Sequence, residues 1–508
     1  MRFRSFCISF VVVVALVISC QGEHRGSDGS LNKSYYAPLY VNDYVVDSGE
    51  VARNLQLQIN NDLDRSPSAK FIQNYYSAGR SLLWINREGI DSRVDTLMTF
   101  LKKSEHEGFS GKILNISQLE EDVERAKLLT FTSNQPASMV MARLEYNLSK
   151  TYLRYATIMG YGLVNPYGLY NRLDHQDNDS TGKKFRELYG VPTKLPKQSF
   201  YESAMKNSSI DSIGSFLRAQ IPQDPLYHRL ISMLNADSLT NDLRIKVLCN
   251  MERCRWHVDE HPFKHRKYVQ VNLPAFRLYA VDGNQVLSMK VGAGTRRTKT
   301  PLLISRLKRI ELNPQWIIPR SIVEKDIISH AEDPEYFERH HYFVQNKITG
   351  NKLNIYNLTA ADLRNRDNHV VQEGGNGNSL GRIVFRFDNN YSVYLHHTST
   401  FGFFNRDDRS VSHGCVRVEQ PYDLACFLLN DKDEEFLQRI NYSMTVDLKS
   451  PSLNKGKLVH SVTVSPEVPL FITYYTIDID PTTNQIIELP DVYGYDRVLY
   501  EQLKKYGM

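Results

Sequence analysis

From about residue 51 to residue 255, apolar positions recur three and four apart. Met141, Leu144, Leu148, Tyr152, Tyr155 and Met159 form the longest such stripe, which predicts a helix with one buried face. Ser117-x-x-Glu120, just before LEEDVERAKLL, has the form of a capping box. Pro166, Pro192 and Pro196, with Gly160, Gly162 and Gly168, interrupt the pattern near its middle. Aromatic residues on a helical stripe are usually core, so residues 51–264 are expected to be a mainly helical scaffold. Near residue 265 the period becomes two, in KYVQVNLPAFRLYAV, QVLSMKVGAG, KRIELNPQWIIP, GRIVFRF and YSVYLHH, with Asp282-Gly283-Asn284 as a hairpin turn. An antiparallel β domain is therefore expected over 265–450, and the fold class is α+β. Residues 321–380 interrupt that domain with a helical start and a Gly/Asn-rich end. So long an insertion is expected to act as a lid, hinged at Gly374–Gly381 and covered by Tyr336, Phe337, Tyr342 and Phe343. The tail, 451–508, holds the strand-like run VPLFITYYTIDID and a final helix, and is expected to pack on the scaffold.

The 508 residues are 41% hydrophobic and 23% charged, a composition that excludes a disordered or collagen-like chain. A net charge of +5, from 62 basic and 57 acidic side chains, is too mixed to imply nucleic-acid binding, and none is expected. Residues 1–19 begin with Arg2 and Arg4 and run apolar to Ile18, too short for a spanning helix and suited to a cleaved secretory signal. Val17-Ile18-Ser19-Cys20 resembles the lipobox of bacterial lipoproteins, which implies lipidation of Cys20 and anchoring to a membrane through acyl chains. Residues 20–50 then form a linker. The expected location is periplasmic, with the outer membrane favoured over the inner. Six cysteines are too few for a disulfide scaffold.

The chemistry lies in YLHHTSTFGFFNRDDRSVSHGCVRV, residues 394–418. A nucleophilic thiol requires a base to form thiolate and N–H donors where an oxyanion develops. His396 ends a strand and Cys415 follows nineteen residues later, a spacing that a strand-loop-strand return can close. Gly414 lets the backbone approach closely. By themselves these residues also suit a small buried Cys near two loop histidines. The run His396, fifteen residues, then Ser412-His413-Gly414-Cys415 resembles the signature of the bacterial L,D-transpeptidases. NMERCRW, VNLPAFRLY, NPQWIIPRSI, LGRIVFRF and VPLFITYYT look like the large, scaffolded branch of that family. The peptidoglycan-binding module that large members often insert before NMERCRW is not evident, and the lipid anchor is expected to localise the chain in its place.

The resemblance implies Cys415 as nucleophile and His396 as base, with the carbonyl of His397 orienting the imidazole and amides around His413 and Gly414 forming an oxyanion hole. It implies that Ser412 and Arg417 shape the loop and that Tyr394 flanks the site, as substrate-binding residues. The implied substrates are peptidoglycan tetrapeptide stems as donor and a neighbouring stem amine as acceptor, with no cofactor, no metal and carbapenem sensitivity. The alternatives are an L,D-carboxypeptidase or exchange enzyme that trims stems, and a wall-binding module without catalysis. Two departures stand out: His397 occupies a position that is often Asp or Ser, and Arg417 one that is often Asn.

Other groups are set aside. His257 and His261 stand four apart, but Val258 occupies the place of the zincin Glu and Pro262 breaks the helix. His340-His341 reads as loop, and the glycines from 374 to 381 lack the strand-helix frame of a dinucleotide site. Cys249 and Cys254, five apart on a helix, lie too far from each other to bridge, and with Cys426 they are expected to be buried thiols.

Overall fold

A computed structural model describes residues 47–86, 89–175, 184–209 and 211–508. The signal and Cys20 lie outside these residues, as does most of the linker. The described residues form two compact units: those up to 161 with 196–222 and 505–508, and those of 162–195 with 223–504.

The first unit is helical: α1 (Ser48–Asn61), α2 (Pro67–Ser77), α3 (Arg93–His106), α4 (Ile116–Leu128), α5 (Ala137–Tyr161), α6 (Gln198–Lys206) and α7 (Ile213–Gln220). The α5 stripe from Met141 to Met159 is buried throughout, as its spacing predicts. The capping box at Ser117 does not form. Instead α4 starts two residues earlier, after Asn115 in a left-handed conformation (φ 52°), and Glu120 pairs with Lys102 at 2.8 Å.

The second unit begins with the segment from Gly162 and includes α8 (Pro225–Leu234) and α9 (Asn241–Arg255). The helical region expected over 51–264 is thus divided between the units, and the change of period at 265 marks a change of structure inside the second. NMERCRW lies on α9 and ties that unit together. Asn250 Nδ2 donates to Thr476 Oγ1 at 2.7 Å, Arg253 pairs with Asp496 at 2.6 Å with both nearly buried, and Glu252 accepts the amides of Leu163 and Val164 at 2.6 and 2.8 Å. The charges in this helix are a structural clamp: each buried polar group needs a partner, and here the partners come from distant segments.

The strands are β1 (Lys267–Asn272), β2 (Arg277–Asp282), β3 (Gln285–Gly294), β4 (Leu302–Leu312), β5 (Trp316–Ile317), β6 (Tyr342–Asn346), β7 (Asn368–Gln372), β8 (Ile383–Phe387), β9 (Leu395–His396), β10 (Ser410–Ser412), β11 (Val416–Val418) and β12 (Ser461–Thr473). The order β8-β9-β11-β3-β2-β1-β12-β4 closes on itself because β4 also pairs with β8. This sheet is mixed, a correction to the antiparallel expectation: β9 runs parallel to β11 and β12 parallel to β1. The tail is corrected in its strand, while its helix packs on a helix of the 51–264 region as expected. Val468–Ile472 are buried, so β12 enters the sheet between β1 and β4, while the final helix α10 (Tyr495–Leu503) packs on α9.

The insertion has its own three-stranded sheet, β5-β7-β6, and its own core of Ile318, Val323, Ile327, Ala331, Phe337, Val344, Leu358, Leu363 and Val370. Phe337 is the centre of that core, with Tyr336 and Tyr342 packed against it, while Phe343 is buried under Lys352 Nζ at 3.8 Å. The aromatics expected to cover a site therefore fill the insertion itself. Nor do the glycines form a hinge. A Cβ at Gly374 would meet the Asn313 carbonyl at 2.2 Å, and one at Gly381 would meet the His397 ring at 2.6 Å. Asn378 bonds Glu373 O at 2.7 Å and Leu380 N at 2.8 Å, which fastens the segment between them. Small residues are required here for close approach.

Phe337→Ala should destabilise the insertion by about 3–5 kcal/mol. Hydrogen exchange should then show protection lost across the insertion while β1–β3 keep theirs; loss spread evenly through the second unit would show that the insertion has no core of its own.

Candidate active site

The register Leu395↔Val416 and His396↔Arg417 sets the ends of β9 and β11 side by side. Cys415 directly precedes β11, so the pairing brings His396 and Cys415 to one end of the sheet. Both line a cavity of about 1010 Å³, together with Tyr394, Ser412, His413 and Arg417. The cavity therefore gathers six of the eight residues expected at the site. His397 and Gly414 stand behind it.

His396 is 4% exposed, and its Nδ1 lies 2.5 Å from the His397 carbonyl oxygen. A carbonyl can only accept, so Nδ1 carries the proton and Nε2 keeps its lone pair. Burial, followed by the Arg417 charge, lowers the His396 pKa to about 4, so the ring is neutral at pH 7. Burial likewise raises the Cys415 thiol above its ordinary value, with the Tyr394 backbone and the charges of Arg417 and Arg386 acting in the opposite sense. The thiol donates to the Ser392 carbonyl at 3.8 Å and makes no hydrogen bond to His396 in this arrangement. Ser392 adopts φ 54°, and its turn is held by Asn389, which bonds the Val393 carbonyl at 2.9 Å and the Tyr391 amide at 2.9 Å.

The loop before Cys415 is held from both sides. Ser412 Oγ donates to the Cys415 carbonyl at 2.5 Å and accepts from the Gly414 amide at 3.1 Å. Thr298 and Thr300 hydroxyls donate to the carbonyls of Ser412 and Gly414 at 2.7 and 2.8 Å. The Gly414 amide is thus occupied, a correction to its expected oxyanion role. What Gly414 supplies is φ 122°, which a side chain would strain. His397 acts through its carbonyl, while its ring stands elsewhere: Nδ1 accepts from the Arg382 amide at 3.1 Å, against Gly381.

Arg417 Nε is buried without a hydrogen-bond partner, and among the described residues Arg417 pairs with no carboxylate. Tyr394 lies under the Arg386 guanidinium, whose Cζ is 4.3 Å from the ring centroid, and Arg386 is fixed to Glu311 at 2.8 Å. Sequence reasoning missed Arg386, Asn389, Thr298 and Thr300. Only the DNN turn composition at 388–390 signalled a constrained loop there.

Residues 266–435 match the L,D-transpeptidase catalytic domain family known as YkuD. The match covers 170 of the 508 residues, the β-rich part of the chain. Residues 70–234 match a Scaffold domain family, in agreement with the helical region that precedes the sheet. A Haemophilus influenzae protein that carries an L,D-transpeptidase name is 28% identical over 318 residues, covering 60% of this chain and 60% of its own length. Two solved structures have lower similarity. One, described as an Ldtfm–avibactam carbamoyl enzyme, covers 42% of this chain and 51% of its own at 12% identity and a TM-score of 0.20. The other, an L,D-transpeptidase from Mycobacterium smegmatis, covers 41% and 58% at 12% identity and a TM-score of 0.19.

None of the groups set aside in the sequence lines the cavity. His261 stacks on Phe263 at 5.0 Å, and burial lowers its pKa to about 4. His340 packs at a tilt against Tyr336, with ring centroids 4.3 Å apart. Cys249 and Cys254 are buried free thiols, whereas Cys426 is only half-buried because its short helix lies at the surface of the unit.

A raised thiol pKa means that Cys415 rests as a thiol at neutral pH, so its alkylation by iodoacetamide should rise about tenfold per pH unit from pH 6 to beyond pH 9. Peptide mass spectrometry at Cys415 reads this directly. A rate already level at pH 6 would indicate a preformed thiolate–imidazolium pair instead.

Proposed function

We propose that the chain cross-links peptidoglycan stems through a thioester on Cys415. The reading rests on one observation above all: His396, its Nδ1 bonded to the His397 carbonyl at 2.5 Å, lines the same cavity as Cys415. His396 Nε2 takes the Cys415 proton as sulfur attacks the carbonyl of the L-to-D peptide bond of a tetrapeptide stem. The S–C bond forms, the C–N bond breaks, and the proton passes to the departing D-Ala amine. An amine from a second stem then attacks the thioester and regenerates the thiol. The free amides of the 413–415 loop, with that of Gly414 excluded, are the candidate oxyanion donors. Arg417 would meet a stem carboxylate, since its Nε is buried without a partner. A neutral thiol and neutral imidazole suit a proton transfer concerted with attack.

Trimming to tripeptide is the reaction with water in place of the amine, and it uses the same acyl-enzyme. Incubation with muropeptides and mass spectrometry of the products separates cross-linked dimers from trimmed stems. Cys415→Ala should abolish both products and the acyl adduct, and a persistent adduct would exclude this nucleophile. His396→Ala should slow acylation by roughly 10²–10⁴, while His397→Ala, which keeps its carbonyl, should cost much less.

The membrane anchor at Cys20 is part of the proposal and rests on the sequence alone. Palmitate labelling that is lost in Cys20→Ser would support it, and labelling that survives would remove it.

A further inference from the structure

The cavity has two walls, and the reaction proposed above uses two stems. One wall carries Cys415, His396, Tyr394 and Arg417 from the sheet; the other is one face of the insertion, with Trp316, Ile317, Lys347, Arg366 and His369. Their ion pairs differ. Arg320 on the insertion is neutralised by Glu324 at 2.8 Å and also bonds the Leu363 carbonyl at 2.6 Å. Glu324 is the single carboxylate that lines the cavity, and it is engaged in that pair. Lys347 and Arg366 have no carboxylate partner among the described residues; the Lys347 ammonium reaches only the backbone carbonyl of Arg366. His369 also lines the cavity, its pKa lowered by burial and then by Lys347. The insertion thus lines the cavity that holds the thiol with two cations that have no carboxylate partner among the described residues.

Resting on the transpeptidase reading, we propose that Arg366 and Lys347 bind the carboxylate of the acceptor, on the same carbon as its attacking amine. An amino acid centre of that kind, as in diaminopimelate, presents carboxylate and amine together. Two cations on the carboxylate anchor it, and their field lowers the pKa of the neighbouring ammonium, so that more of the amine is present as the free base that can attack a thioester. Water gains nothing from such a site. The wall therefore favours cross-linking over hydrolysis by selecting the nucleophile. The shape of that wall is set by the insertion's own core and by its fastened glycine segment.

The test measures acceptor choice, which is independent of how much enzyme is active. The donor is a tetrapeptide stem with its side-chain amine acetylated. The acceptors are two tripeptide stems in equal amounts, one with a free carboxylate beside the attacking amine and one with that carboxylate amidated. Wild-type protein should favour the free carboxylate by about tenfold, the effect of one charge-assisted contact. Arg366→Ala with Lys347→Ala should reduce that ratio toward one, Arg366→Lys should retain most of it, and added salt should erode it. Both side chains lie on the exposed face of the insertion, away from its core. A ratio near one in the wild type, or a full preference in the double variant, would overturn the acceptor assignment. If the wild type forms no thioester at all, the transpeptidase reading falls first and this assignment falls with it.

Discussion

The pairing of Leu395 with Val416 and of His396 with Arg417 is the contact on which the site depends. β9 is only two residues long and β11 three, so a slip of one residue would turn His396 to the opposite face of the sheet. Such short strands cannot hold their own register. It is imposed from outside: β11 is fixed against β3 through Arg417↔Gly292, β9 against β8 through Val384↔His396, and β8 in turn against β4. The closed sheet is therefore the device that positions an imidazole and a thiol drawn from segments nineteen residues apart. Thr298 and Thr300, reaching in from the loop after β3, do the same for the turn that carries Cys415.

Burial sets the electrostatics of the pair. It disfavours every charged form, raising the thiol and lowering the imidazole, and it outweighs the help that Arg417 gives a thiolate. Arg417 itself lies with a buried, unpartnered Nε beside two neutral groups. A cation left without a counter-charge in a cavity costs stability, and an anionic ligand removes that cost when it arrives. Binding and electrostatic relief are then the same event.

The parts legible in the sequence are those where chemistry or period is local. The α5 stripe followed from spacing alone, and the Ser-His-Gly-Cys run with its upstream His located the cavity. The parts that were not legible depend on partners far along the chain. Nothing near Val468 announces that its strand lies between β1 and β4. The glycines from 374 to 381 look like a flexible run until the Asn313 carbonyl and the His397 ring are seen pressed against them. Phe337 and its neighbours look like cover for a site because a sequence shows that they are apolar and not what they face. Gly414 was correctly singled out but for the wrong property: its backbone angle matters and its amide is already bonded to Ser412.

The family match to the catalytic domain stops at residue 435, yet β12, residues 461–473, lies between β1 and β4. A fragment cut at the match would contain every residue expected at the site and still expose two long strand edges, one of them the full length of β4. Open edges of that kind pair with other chains. Such a fragment would be a poor reagent: prone to self-association, with a loosened β4 and hence a loosened β8 and β9. The smallest piece worth expressing for catalysis includes the tail, and the recognisable domain and the foldable one are different objects.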